Sequence, residues 1–128
     1  PYQRLALAAR RSYLRENPLI VDAVLRGALE SVAFIQQPAR RDVVLKSLSK
    51  NLRLKSAQAA ESGYEVLQWL YSLDIRPSLK GIQNMQCLLA VTNPKVMGIK
   101  AEEVIDDAPV QRVEKTSFYR ELVSVVKK

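Results

Sequence analysis

The sequence predicts an all-α fold, a compact multi-helix bundle over residues 1–128 read as a single helical domain, with at most one short amino-terminal strand. Apolar residues recur at steps of three and four along most of the chain, the period of one helix face. Several of the six prolines stand where those patterns break. Gly 4 and Pro 6 are too few for a turn-rich β-sandwich, and an apolar share of 48% is enough to close a core.

The elements follow in order. Tyr2 to Ala8, YQRLALA, alternates like a strand, with Leu5 and Leu7 on one side and Arg4, Ala6 and Ala8 on the other. A single strand cannot satisfy its own backbone, so it is expected to pair with a sheet outside these residues or with a second copy. A short helix then stops at Asn17-Pro18, where Asn17 offers an N-cap and Pro18 the first position of a longer helix. On that helix Val21, Leu25, Ala28, Val32 and Ile35 define the inner face, while Asp22, Arg26 and Glu30 support the outer side at i,i+4 spacing. A helix from near Pro38 turns Val44, Leu45, Leu48 and Leu52 inward and Arg40, Arg41, Lys46 and Lys50 outward. The next runs from Ser56 to Leu73, with Ala59, Gly63, Val66, Leu70 and Leu73 as its face and Trp69 and Tyr71 thickening it.

The DIRPS segment ends that pattern, and Ser78 caps a helix carrying Leu79, Ile82, Met85, Leu88 and Leu89 that stops at Thr92-Asn93-Pro94. NPKVMGIK reads as a connection whose Val96, Met97 and Ile99 pin it down. AEEVIDDAP is a short helix terminated by Pro109, and VQRVEKTSFYRELVSVV resumes in one or two helices ending at Lys127 and Lys128. No repeat at a fixed period links these elements.

The formal charge of +7 is unevenly placed. Residues 1–55 hold eleven Lys and Arg against four acids, and residues 56–128 hold nine of each. The basic residues are interspersed with apolar ones and lack a stripe of stacking aromatics, so nucleic acid is the weaker partner and solvated helix faces the stronger reading. No apolar run reaches the length of a membrane span. The chain opens at Pro1, and a piece of something longer is expected.

Chemistry is sparse. Without histidine there is no Ser-His-Asp or Cys-His arrangement and no imidazole ligand. Cys87, alone and flanked by Met85, Leu88 and Leu89, reads as a buried thiol. Asp106 and Asp107 are adjacent and diverge on a helix, so they read as solvated residues near a helix end rather than as an acid/base pair. The glycines are too dispersed for a phosphate loop. Tyr13, Phe34, Tyr64, Trp69, Tyr71, Phe118 and Tyr119 read as packing between helices. No catalytic residue, metal ligand or cofactor is assigned, and ligand-binding residues stay unassigned.

The order of segments carries a resemblance. RSYLRENPLIVDAVLRGALESVAFIQQ, then a basic helix, then PSLKGIQNMQCLLAVTNPK and EEVIDDAPVQRVEK, resembles the carboxy-terminal part of the periplasmic substrate-binding proteins of ABC importers. The similar branch comprises nitrate, sulfonate and taurine receptors and thiamine-pyrimidine synthesis proteins. Tyr13-Leu14 with Asn17-Pro18 is similar to the family's entry into its long helix. Ser78, Gly81, Gln83 and Asn84 resemble its P-S-x-x-G-x-Q-N helix start, and Asn93-Pro94 with Ile105-Asp106-Asp107 its close. The likeness spans Leu7 to Phe118, about the last third of such a receptor.

The resemblance implies two α/β lobes with solute held between them. The helices here would flank the amino-terminal lobe against a sheet this sequence lacks, and YQRLALA would end a crossover strand. It implies a non-enzymatic receptor, periplasmic and associated with the membrane, that delivers a sulfonate, nitrate, taurine or similar solute to an ABC permease. The missing amino-terminal part of the parent is then a partner too, and a homodimer through Tyr2 to Ala8 is a further expectation. The reading from another class is a stand-alone helical interaction module, with nucleic acid as its acidic partner.

Overall fold

The computed structural model describes residue 3 and residues 5–126. The described residues are all-α: α1 (Arg11–Glu16), α2 (Pro18–Gln36), α3 (Arg41–Asn51), α4 (Ala57–Leu70), α5 (Leu79–Ala90), α6 (Ala101–Val104), α7 (Ala108–Glu114) and α8 (Ser117–Val126), with 3-10 turns at Pro38–Arg40 and Pro94–Gly98. They fall into two units, Pro1–Asp22 with Arg76–Arg112, and Ala23–Ile75 with Val113–Lys128.

In the first unit the expected strand is absent: residues 3 and 5–8 carry no strand, while Tyr2 and Arg4 lie outside the described residues. A side chain takes the place of a ladder. The Gln3 Oε1 accepts the Ser78 N–H at 3.0 Å, and Gln3 Nε2 donates to the Leu5 carbonyl at 2.6 Å. The approach is close enough to need glycine next to the cap, because a Cβ on Gly81 would stand 2.9 Å from the Gln3 backbone nitrogen. Ser78 itself caps α5 as expected, its Oγ accepting the Gly81 N–H at 3.0 Å.

The joint at Asn17 works differently from a simple N-cap. The Asn17 N–H and its Nδ2 both donate to the Tyr13 carbonyl, at 2.9 and 3.2 Å, so the residue closes α1 while Pro18 opens α2. Of the three apolar residues expected to pin the 94–99 connection, Val96 is half-buried and Met97 and Ile99 are exposed. What ties the segment down is polar: Gln86 Nε2 donates to the Val96 and Ile99 carbonyls at 3.2 and 2.7 Å. Pro109 does not end a helix. It lies buried in the first turn of α7, where the lost N–H costs nothing, and Asp106 Oδ1 receives the Ala108 N–H at 3.1 Å just before it.

The core of the second unit is built from Leu25, Leu29, Val32 and Ala33 of α2, Val44 of α3, Ala60 of α4 and Val113. The α2 face is thus turned slightly from the expected one, centring on Leu29 and leaving Ala28 and Ile35 half-buried. Helix α4 is corrected further. It ends at Leu70 rather than Leu73, and it buries Ala60 and half-buries Tyr64, Leu67 and Gln68, while Ala59, Val66 and Leu70 are exposed. Its inner face is polar by arrangement. Gln36 Nε2 donates to the Gln68 and Tyr71 carbonyls at 3.2 and 2.6 Å, and Gln68 Nε2 donates to the Ile35 carbonyl. Amides that are paired this way can face inward without desolvation loss.

Both serine caps can be tested by deletion. Ser56 Oγ accepts the Ala59 N–H at 3.2 Å. Ser56→Ala and Ser78→Ala are each expected to cost about 1 kcal/mol in urea denaturation, whereas Ser62→Ala, at an exposed interior position of α4, leaves stability level or slightly raised.

Candidate interaction surface

Among the described residues no three His, Cys, Asp or Glu side chains stand together as a metal ion would require. No helix among them is long and apolar enough to cross a membrane. Two concave features in the second unit are shallow. One of about 500 Å³ has Phe34, Ile35, Val43, Val44, Leu48 and Leu67 as its apolar floor, with Glu30, Ser31 and Ser47 at its margin. Another of about 480 Å³ is lined by Leu45, Lys46, Ser49, Lys50, Ala57, Ala60 and Glu61.

The isolated titratable residues take structural duties. Asp106 caps α7, and Asp107 Oδ2 accepts from Gln111 Nε2 at 2.8 Å. The Cys87 thiol is exposed, contrary to the buried position expected from its apolar neighbours, because Leu88 and Leu89 are themselves exposed on that side of α5.

Several basic residues are held by the protein's own rings and acids. The Arg26 guanidinium lies 4.9 Å from the Phe118 centroid, Arg40 lies 5.3 Å from Phe34, and Arg41 lies 5.7 Å from Tyr64 while bridging Glu61. Arg112 pairs with Asp22 at 2.8 Å, and Arg11 donates to the Glu103 carbonyl. Lys46, Lys50, Arg53 and Lys55 are different: all four are exposed and have no ion-pair partner among the described residues. The sequence reading missed them as a group because it weighed charge over residues 1–55 as a block. The signal that finds them is the absence of any acid between Asp42 and Glu61.

Both units also expose large apolar side chains. In the second unit, Val66, Trp69 and Leu70 share one side of α4, and Trp69 is 81% exposed. This corrects the expectation that Trp69 thickens the core. In the first unit Leu88, Leu89 and Val91 are exposed at the end of α5, and Leu19 and Ile20 at the start of α2. The chain matches no known protein family, no curated protein and no solved structure.

Proposed function

We propose that this chain is the carboxy-terminal helical part of a two-lobed periplasmic solute-binding protein, non-enzymatic, which delivers a small solute such as a sulfonate, nitrate or taurine to an ABC importer. The observation that carries the reading is the apolar area left uncovered. Helices that flank a sheet keep an apolar side for it, and the exposed faces of α4 and α5 supply such sides.

The residues of the family-like helix start also have physical roles that suit their types. Ser78 caps α5, and Gly81 admits the backbone at Gln3 where any side chain would collide. On this reading the solute-contacting groups lie mainly in the upstream part of the parent, and the helices here support the lobe that holds them.

Calorimetric titration of the full-length parent with taurine, alkanesulfonates, nitrate and pyrimidines tests the proposal. Saturable binding of one of them without turnover is expected. Failure of all of them to bind, with turnover of pyridoxal phosphate instead, would move the protein to the enzyme branch of the same family.

The isolated 128-residue chain should behave as a protein missing its cover. Sedimentation equilibrium over a hundredfold concentration range is expected to show self-association, and Trp69→Ser to weaken it, since the exposed indole is the largest apolar side chain on α4. An ideal monomer throughout would count against the uncovered-face argument.

A further inference from the structure

The end of α3 carries a second surface, independent of the solute-binding reading. Residues 43–60 contain Lys46, Lys50, Arg53 and Lys55 and no acid. Lys46 and Lys50 are one helical turn apart and exposed. The helix then closes with the six-to-one bond of a Schellman turn: the Leu54 N–H donates to the Ser49 carbonyl at 3.0 Å, and the Leu52 N–H to the Leu48 carbonyl at 2.9 Å. Arg53 occupies the left-handed position of that turn, φ 51°, where glycine is the usual residue. The turn leaves Leu52, 62% exposed, at the tip between Lys50 and Arg53.

We propose that this turn docks on an anionic phospholipid surface, with Leu52 entering the interfacial region and Lys46, Lys50, Arg53 and Lys55 meeting the headgroup charge. An exposed leucine at a helix end, within an acid-free stretch that carries four cations, matches a bilayer interface, whose anionic headgroups lie above hydrocarbon. Nucleic acid fits less well, because single strands are held by stacking on aromatic rings and residues 35–63 contain no Phe, Tyr or Trp. Keeping an arginine where glycine would be unstrained adds a charge at the tip.

The test is co-sedimentation of the 128-residue chain with sucrose-loaded vesicles, either phosphatidylglycerol mixed with phosphatidylcholine or phosphatidylcholine alone. Partition into the anionic vesicles is expected at low ionic strength, falling steeply as salt shortens the screening length. Lys46→Gln and Lys50→Gln should each lower it about fivefold, and Leu52→Ser roughly threefold or more. Arg53→Gly separates binding from folding: it should raise the unfolding midpoint by relieving the left-handed arginine, yet lower partition about as much as the lysine variants. The proposal is overturned by no partition at low salt, by equal partition into uncharged vesicles, or by charge-dependent partition indifferent to Leu52→Ser. Capture of single-stranded DNA that is tighter than vesicle binding and weakened by the same lysine variants assigns the turn to nucleic acid and overturns it as well.

Discussion

Replacing Leu29 by alanine is expected to remove about 3 kcal/mol of stability, within the range of roughly 2.7–5 kcal/mol seen when a buried leucine is truncated without collapse of the cavity. Leu29 is, among the described residues, the one leucine with no exposed surface, 0%. It is central to the α2 face, one helical turn from Leu25 on one side and from Val32 and Ala33 on the other, all four buried. The core around it is thin, so few neighbours can move in, and the loss is a large share of the roughly 5–15 kcal/mol that domains possess. Leu19→Ala on the same helix is the control. With 83% of its surface exposed, Leu19 should tolerate the change within about 0.5 kcal/mol. Urea denaturation of the two variants, read by far-ultraviolet circular dichroism, decides; equal midpoints would mean that Leu29 is not the centre of this core.

The second large effect is expected at Val113, 1% exposed near the end of α7. Val113→Asp places a carboxyl group where a fully buried apolar side chain now stands. The penalty combines desolvation with lost packing and should exceed about 3 kcal/mol. Val125→Asp in α8 makes the same chemical change at a side chain that is nearly half exposed, and should cost less than about 1 kcal/mol. Amide exchange of α2 compares them: protection falls in the first variant and is kept in the second.

The parts of the fold that were legible in the sequence are those decided within a few residues. Ser56 and Ser78 cap helices where they were expected to, because a hydroxyl accepting an N–H three residues on is a local event. The break at Asn17-Pro18 is local for the same reason, although the asparagine closes the preceding helix instead of opening the next. Helix faces were less legible. On α4 the apolar count favours Ala59, Val66 and Leu70, but the inward side is Ala60, Tyr64, Leu67 and Gln68, since paired amides from α2 and α4 make a polar seam acceptable inside. Pro109 was misread as a terminator because a proline suits the first turn of a helix as well as the end of one, and the buried site that decides between them is a tertiary matter.

The candidate surfaces were legible in part. That nothing reactive is displayed follows from residue types alone. Which cations stay unengaged does not, because whether an arginine lies on an aromatic ring, as Arg26, Arg40 and Arg41 do, depends on helices that meet far apart in the chain. The turn at Leu52 was hidden by its pattern. Leu48 and Leu52 share the four-residue step of an inward face, yet the second stands past the end of the helix, just before the left-handed Arg53, and is exposed.

The two units interleave along the chain, since Pro1–Asp22 shares a unit with Arg76–Arg112 while Ala23–Ile75 belongs with Val113–Lys128. During synthesis, then, neither unit is complete when its first segment leaves the ribosome. At typical elongation rates the residues between Asp22 and Arg76 take roughly 3 to 10 seconds to emerge, and α1 waits that long for α5, whose capped end receives Gln3. The second unit waits in turn for α8. Until that interval ends, the Gln3 side chain has no Ser78 N–H to receive, so the contact that fastens residue 3 to this unit is among the later ones the chain can make.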